Sequence, residues 1–368
     1  MRLRGLIRKE FVQIFRDPSS IAIAFLMPVV LLLLFGYGVS LDAEHVPIAL
    51  VVEQPSTDTA SFTAAFQGSR YFEPVLMSNM HAAIRALKAR RVDGVVRLRA
   101  DFARRLRRAN GAPIQVIVNG VDANTARQVS GYIEGVWAQW LEYTAQMSGE
   151  TLKIPVQVQQ RVWFNSELRS RNFLVPGLIA VIMTLIGALL TALVMAREWE
   201  RGTMEALMVT PVTMREVLLG KVIPYFILGM GGMILSVTMA VWLFEVPLRG
   251  SVWVLFVAAS LFLLAALGMG LLISILAKNQ FVAGQAAIIA TFLPAFILSG
   301  FIFDIGSMPR IIQALTYLLA ARYFVAILQT VFLAGDVWMV IVPNALALTV
   351  MAVIFLGLSR WRSHKRLE

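Results

Sequence analysis

Six long stretches of the chain carry no charged side chain, and shorter polar segments separate them. The stretches, here called spans one to six, are residues 19–41, 173–196, 222–244, 250–277, 279–303 and 337–359. At about 1.5 Å per helical residue, each is long enough to cross a hydrocarbon core about 30 Å thick. Because an ionised side chain at mid-membrane costs about 2.5–3.5 kcal/mol, six such windows predict six transmembrane helices.

The composition agrees with this pattern. Of 368 residues, 58% are hydrophobic and only 15% are charged, whereas about a quarter of the residues of a soluble domain are charged. No cysteine is present, so a disulfide framework is excluded. The predicted fold class is therefore an α-helical polytopic membrane protein.

The basic residues that flank the spans fall mostly on one side. They are Arg2, Arg4, Arg8, Lys9 and Arg16 before span one, Arg197, Arg201, Arg215 and Lys221 after span two, Lys278 after span four, and Arg360, Arg362, Lys365 and Arg366 after span six. The short loops on the other side hold only Arg249, Arg310 and Arg322. The positive-inside rule then predicts that both termini are cytoplasmic, with residues 360–368 as a cytoplasmic tail.

Residues 1–18 predict an amphipathic helix that lies at the cytoplasmic membrane surface and ends at Asp17-Pro18. Its apolar positions are Leu3, Leu6, Ile7, Phe11, Ile14 and Phe15. Arg8, Lys9, Glu10 and Phe11 are its candidate functional residues. The alternative is a basic flank that only sets the topology.

Residues 42–172 interrupt the series of spans with 16 Lys or Arg and 12 Asp or Glu. Because the segment lies between spans one and two and the N-terminus is predicted to be cytoplasmic, the segment is predicted to be extracytoplasmic. Long translocated segments escape the positive-inside bias, so its basic residues do not argue against this. Its pattern alternates strands (47–52, 72–77, 92–98 and 114–118) with helices (56–66, 81–90, 100–108 and 123–147). We therefore expect an inserted α/β domain with its own core. The basic run at 104–108 lies on a predicted outside helix, which argues against binding of nucleic acid.

A charged block at residues 197–211 follows span two, where a short loop would suffice. Its charged positions include Glu198, Glu200, Arg201 and Glu205, and its other candidate positions are Gly202, Thr203, Leu207 and Pro211. The block is compatible with a short helix and offers flexible apolar contacts, which predicts a docking element for another protein. The alternative is an ordinary solvated loop.

The pattern Glu-x-Glu-x-Gly-Thr-x-Glu-x-Leu-x-x-Thr-Pro in this block resembles the signature of ABC-2 type export permeases. The resemblance extends over essentially the whole chain, from Ile-Arg-Lys-Glu at residues 7–10 to span six. It implies that residues 197–211 form a coupling helix against a separate ATPase subunit. It also implies a bacterial inner-membrane protein of the branch that has a large extracytoplasmic domain between spans one and two.

The same resemblance implies the partners. ATP and Mg²⁺ would be bound by the ATPase subunit, and no cofactor by this chain. A second permease copy or a paralogue would complete the pathway, in contact with membrane lipids. A periplasmic adaptor and an outer-membrane channel are further expected partners.

Span five ends in Leu298-Ser-Gly-Phe-Ile-Phe303, and two shorter apolar stretches follow at 311–321 and 323–335, interrupted by Arg322. Neither stretch is long enough to span, so we expect re-entrant helices within about 305–335. The family has a similar pair before its sixth span, but this chain lacks the proline often found before the aromatic pair. Leu298, Ser299, Gly300, Arg322 and Tyr323 are candidates for an outer gate; the alternative for Arg322 is an interfacial anchor.

The chain has no Gly-x-x-x-x-Gly-Lys-Ser/Thr loop and no His-Glu-x-x-His pattern, so neither a catalytic nor a metal-binding residue is predicted. A cation-coupled transporter would need ionisable groups at mid-membrane, and the six windows contain none. The expected function is the permease subunit of an ATP-driven exporter of hydrophobic or amphiphilic compounds. The alternative is a receptor or an ATP-independent channel whose outer domain binds a ligand.

Overall fold

The computed structural model describes residues 2–38, 45–89, 91–107, 114–119, 123–148, 169–203 and 212–363. The chain divides into two compact units, a membrane unit of residues 1–40 and 162–368 and a second unit of residues 41–161. In chain order the elements are α1 (Arg2–Phe15), α2 (Pro18–Gly38), β1 (Val46–Val52), α3 (Thr57–Gln67), β2 (Phe72–Met77), α4 (Met80–Lys88), β3 (Gly94–Leu98), α5 (Phe102–Arg107), β4 (Gln115–Val118), α6 (Ala123–Ser148), α7 (Ser170–Glu200), α8 (Met214–Leu243), α9 (Val252–Ala277), α10 (Gln280–Leu298), α11 (Arg310–Thr316), α12 (Ala320–Leu333) and α13 (Trp338–Arg362).

Within the described ranges, six helices are long and apolar enough to cross a membrane, namely α2, α7, α8, α9, α10 and α13. They coincide with spans one to six. In α7, 94% of the most apolar window is buried, against 33% or less in α2, α8, α10 and α13. The second span is therefore the central helix of the membrane unit.

Small and polar side chains hold α9 against α7. Thr191 Oγ1 donates a hydrogen bond to the Leu267 carbonyl oxygen at 2.8 Å, and Ser274 Oγ accepts one from the Ala196 amide at 2.8 Å. A Cβ atom at Gly270 would collide with the Ala188 carbonyl oxygen and the Thr191 side chain. Close backbone approach of this kind is how membrane helices associate without a hydrophobic driving force.

The bent pair before the last span corrects one prediction. The break between α11 and α12 lies at residues 317–319, where the chain bends by 83°, and not at Arg322. Arg322 lies in the first turn of α12, and its guanidinium hydrogen-bonds Thr316 and stacks 3.7 Å from the Tyr317 ring centroid. The sequence predicts a break at Arg322 because this charged residue interrupts an apolar run. Its long side chain instead reaches back to Thr316 and Tyr317 and stabilises the bend.

The second unit contains a four-stranded sheet in the order β2-β1-β3-β4. Strand β1 runs parallel to β2 and β3, and β4 is antiparallel to β3. Alternate strand residues face opposite sides: Ile48 and Leu50 pack with aromatic residues such as Phe62 and Trp140, while Val51 packs on the other side with α4. The sheet thus has helices on both faces.

The crossing of α7 and α9 generates a prediction about packing. We expect Gly270→Val to destabilise the protein by about 1–3 kcal/mol, because the added atoms have no space beside Ala188. Gly357→Val is the matched control, since a Cβ at Gly357 meets nothing within 4 Å. Thermal unfolding of both variants in mild detergent measures the difference, and equal melting temperatures would contradict this account of the crossing.

Candidate functional site

The last turn of α7 contacts a different neighbouring segment with each of four consecutive residues. A helix turns by about 100° per residue, so four consecutive side chains point in nearly all directions around its axis. The contacts are Arg197 to Asp17 before α2, Glu198 to Lys221 of α8, Trp199 to Lys278 after α9, and Glu200 to the Gln280 amide of α10. The C-terminal end of α7 is therefore held by contacts with neighbouring segments on all sides. We call this side of the membrane unit the α1 side.

A buried ammonium group lies at the centre of these contacts. Lys221 Nζ is 3.0 Å from Glu10 Oε1 and 2.9 Å from Glu198 Oε1. The three residues are only 2%, 1% and 3% exposed, respectively. They come from α8, α1 and α7, so Lys221 joins its own helix to the preceding helix α7 and to α1, where Glu10 lies 211 residues away in the sequence.

A second lysine makes the group neutral. Lys9 Nζ, which is half-exposed, lies 2.8 Å from Glu198 Oε1 and 3.4 Å from Glu10 Oε1. Burial alone would lower the pKa of Lys9, but the hydrogen bond and the negative charges of Glu198 and Glu10 outweigh it and raise the pKa above its ordinary value. Lys9, Glu10, Glu198 and Lys221, here called the charge cluster, therefore hold two positive and two negative charges.

The pairing explains why charges are tolerated in this position. Removal of a single ion from water costs several kcal/mol, and a close partner of opposite charge offsets that cost. The second carboxylate oxygens of Glu10 and Glu198 are buried and have no hydrogen-bond partner within the described residues. Each carboxylate thus depends on the two lysines, and loss of either lysine leaves a buried negative charge.

A second ion pair lies beside the charge cluster. Arg197 Nη1 is 2.6 Å from Asp17 Oδ2, and the same carboxylate accepts hydrogen bonds from the Ser19 amide at 3.1 Å and the Ser20 hydroxyl at 2.9 Å. Asp17 is thus the N-cap of α2 and its link to α7. Partial burial would raise the pKa of Asp17, but these hydrogen bonds and the arginine charge lower it below its usual range.

Helix α1 packs against the rest of the membrane unit through one face that carries two apolar residues and one glutamate. Leu6, Glu10 and Ile14 are four residues apart and therefore share one face. Ile14 and Glu10 are buried, and Gly220 of α8 lies against Leu6, where a Cβ atom would be 3.0 Å from the Leu6 Cβ. Of the four candidate residues of α1, Lys9 and Glu10 enter the charge cluster, Phe11 is partly buried and Arg8 is exposed.

The predicted coupling segment is only partly described. Glu198 and Glu200 belong to the last turn of α7 itself, not to a separate helix that begins at residue 197, because the α7 hydrogen bonds continue to Glu200. Arg201 and Gly202 follow in a turn, with Gly202 at φ +66, and the Thr203 hydroxyl donates to the Glu198 carbonyl oxygen at 3.2 Å. Glu205, Leu207 and Pro211 lie outside the described residues.

The candidate outer-gate residues lie on two elements, the end of α10 and the start of α12. Helix α10 ends at Leu298, and the predicted continuation to residue 303 is wrong because Gly300 adopts the left-handed conformation with φ +85. Ser299 is buried. Tyr323 donates a hydrogen bond to the Tyr317 carbonyl oxygen at 2.9 Å, so Tyr323 and Arg322 both hold the bend between α11 and α12.

Sequence reasoning identified Glu198, Lys9 and Glu10 as functional but missed Lys221 and Asp17. One feature of the sequence indicates that a cation must lie near α1. Glu10 is the charged position in the stripe formed with Leu6 and Ile14, and a buried carboxylate needs a cation. Among the described residues, no three His, Cys, Asp or Glu side chains are grouped so that they could hold a metal ion.

The six apolar helices and the buried ion pairs at their ends define a multi-pass membrane protein. The family model for ABC-2 family transporter proteins matches residues 18–361, and the chain belongs to this family. A probable multidrug ABC transporter permease of Escherichia coli, YbhS, is 48% identical over 368 residues, which cover 100% of this chain and 98% of that protein.

Two further relatives are more distant. The probable multidrug ABC transporter permease YbhR of Escherichia coli is 30% identical over 349 residues, which cover 94% of this chain and 93% of that protein. The linearmycin resistance permease protein LnrN of Bacillus subtilis is 23% identical over 362 residues, which cover 89% and 90% of the two chains. This chain is therefore similar to ABC transporter permeases along nearly its full length.

The charge cluster predicts a strong effect of Lys221→Met. Loss of this ammonium leaves the buried Glu10 and Glu198 with one lysine between them, and we expect a destabilisation of about 3–5 kcal/mol. Adding Glu10→Gln restores neutrality and should recover part of the loss. Arg249→Met is the control, because Arg249 is exposed and lies outside the charge cluster and the contacts of residues 197–200. Melting temperatures in detergent measure all three variants, and a loss in Arg249→Met as large as in Lys221→Met would refute the assignment.

The Arg197–Asp17 pair predicts a pH dependence. A carboxyl group whose pKa is lower in the folded state stabilises the fold above its unfolded pKa, and the contribution disappears as the pH falls through the folded pKa. We expect wild type to be more stable than Asp17→Asn by a constant amount at pH 5–8, and the difference to shrink below about pH 4. Asparagine remains a good N-cap, so the variant isolates the charge. A stability difference that is unchanged at low pH would contradict the ion pair.

Proposed function

We propose that this chain is the permease subunit of an ATP-driven exporter in a bacterial inner membrane. The observation that carries the proposal is the last turn of α7, where residues 197–200 contact four neighbouring segments. These residues begin the 197–211 segment whose sequence resembles a coupling helix, and residues 201–211 of that segment follow directly. A displacement of this segment would act on all four neighbours through short contacts.

The energy would come from a separate ATPase subunit that binds ATP and Mg²⁺ and engages residues 201–211 from the cytoplasm. The permeases with multidrug names to which this chain is similar support this assignment. In this proposal the α1 side is cytoplasmic, both termini are cytoplasmic and residues 42–172 are extracytoplasmic. The distribution of Lys and Arg in the short flanks supports the orientation.

The charge cluster would make α1 part of the transmission. Glu10 and Lys9 join α1 to α7 and α8, so a push on the segment between α7 and α8 would move α1 together with both helices. The burial of Glu198 assigns it a positioning role, since a residue that is 3% exposed offers little surface to a partner. Arg201, which is exposed, and Glu205 are the better candidates for direct contact.

The substrate class that we propose is hydrophobic or amphiphilic compounds, moved outward. The relatives named as multidrug and linearmycin resistance permeases support this class. A second copy of this chain or a paralogue would complete the pathway. A periplasmic adaptor and an outer-membrane channel stay predictions from the resemblance.

The test is affinity purification of the tagged full-length chain from native membranes in mild detergent, followed by mass spectrometry and an ATPase assay. We expect a stoichiometric P-loop ATPase to copurify. Arg201→Ala combined with Glu205→Ala should lose it, because these side chains lie in the proposed coupling segment. Asp304→Ala combined with Arg310→Ala is the control, as both residues are exposed, Asp304 in the loop after α10 and Arg310 at the start of α11.

Either of two results would count against the proposal. One is a folded wild-type chain that brings no ATPase with it, which would favour a receptor or an ATP-independent channel. The other is a folded Arg201→Ala, Glu205→Ala variant that retains the ATPase in full amount. That outcome would remove the coupling role from this segment.

A further inference from the structure

A cavity of about 380 Å³ lies between α8, α9 and α13 on the α1 side. Its walls include Leu219 and Phe226 of α8, Leu264 of α9 and Leu356 of α13. Leu219 is 50% exposed, so the cavity is reached from the outer surface of the helix bundle. A volume of this size is within the range of about 300–1,000 Å³ that is typical of small-molecule sites.

Two arginines line the same cavity. Arg215, in the first turn of α8, and Arg360, in the last turn of α13, are both exposed. Within the part of the chain that the structure describes, neither forms an ion pair with a carboxylate, in contrast to Arg197. The cavity therefore combines apolar walls with two guanidinium groups that have no carboxylate partner among the described residues.

The helix ends that carry these arginines are fixed. Arg215 lies inside a capping box, in which the Thr213 amide donates to Glu216 Oε2 at 2.8 Å. Next to Arg360, the Ser359 hydroxyl donates to the Gly268 carbonyl oxygen of α9 at 3.2 Å. The two arginines thus have backbones that are already in place before any ligand binds.

We propose that this cavity binds an anionic phospholipid of the surrounding membrane leaflet. The phosphate would lie on Arg215 and Arg360, since guanidinium groups bind phosphate through paired hydrogen bonds. An acyl chain would fill the space beside Leu219 and Phe226. Basic residues immediately outside a transmembrane helix attract anionic lipids in general, and here an apolar cavity adjoins them.

The bound lipid would have a consequence for the proposed function. Arg215 is four residues beyond residue 211, where the proposed coupling segment ends, and in the same helix as Lys221. A lipid that joins Arg215 to Arg360 would tie the start of α8 to the end of α13. The lipid site itself rests on the cavity and its arginines and does not require the export function.

The test is native mass spectrometry of the full-length chain in detergent, titrated with phosphatidylglycerol, with phosphatidylcholine of the same acyl chains, and with glycerol 3-phosphate. We expect phosphatidylglycerol to bind best. Arg215→Gln combined with Arg360→Gln should weaken its binding by about 25-fold, at roughly fivefold per arginine. Leu219→Trp should also weaken it, because the larger ring fills the cavity while both charges remain.

Arg249→Gln combined with Arg310→Gln is the matched control, because these exposed arginines do not line the cavity. This control variant should bind phosphatidylglycerol with the affinity of wild type. Equal binding of phosphatidylcholine and phosphatidylglycerol would overturn the proposal. So would glycerol 3-phosphate binding as tightly as the lipid, which would indicate a free phosphate site. If a second copy covers the cavity instead, the variants would change the proportion of dimer and leave lipid adducts unchanged, which would also overturn it.

Discussion

A buried ammonium between two carboxylates is stable only while the three helices that carry these groups stay together. Lys221, Glu10 and Glu198 meet this condition on α8, α1 and α7. If one of these helices separated, the remaining helices would hold a buried charge without its partner, at a cost of about 3–5 kcal/mol. The charge cluster therefore makes the arrangement of the α1 side nearly all-or-none, in a way that apolar contacts of similar area would not.

The central helix extends this constraint along the membrane unit. Helix α7 has 31 residues and is surrounded by other helices for most of its length. Its contacts with α9 run through Thr191 and Ser274, whose hydrogen bonds are directional and resist sliding. A helix that is fastened at one end by ions and along its side by hydrogen bonds moves as one body. In the proposed permease, this property would allow α7 to transmit a displacement of the segment that follows it along the membrane unit.

The spans could be predicted from sequence because a membrane-crossing helix requires a continuous run of uncharged residues, and such a run is recognisable from the local sequence alone. The strand at residues 72–77 and the four helices around the sheet were also predicted to within a few residues, since their periodicity is local. The apolar stripe around Glu10 indicates that this carboxylate needs a cation, but the identity of the cation could not be predicted, because Glu10 and Lys221 are 211 residues apart and nothing local indicates their contact. The predicted break at Arg322 is wrong for a related reason. A charged residue in an apolar run does not by itself end a helix, because a long arginine side chain within a helix can bind a neighbouring segment.

The same separation in sequence has a consequence for biosynthesis. Glu10 is made first, and its partner Lys221 follows 211 residues later. At about 5–20 residues per second, roughly 10–40 s pass before the lysine is available. During that interval helix α1 has no partner on α8, and Glu10 must stay hydrated at the membrane surface. Final docking of α1 therefore waits for the third span to be inserted, which makes the first helix of the chain among the last to reach its place.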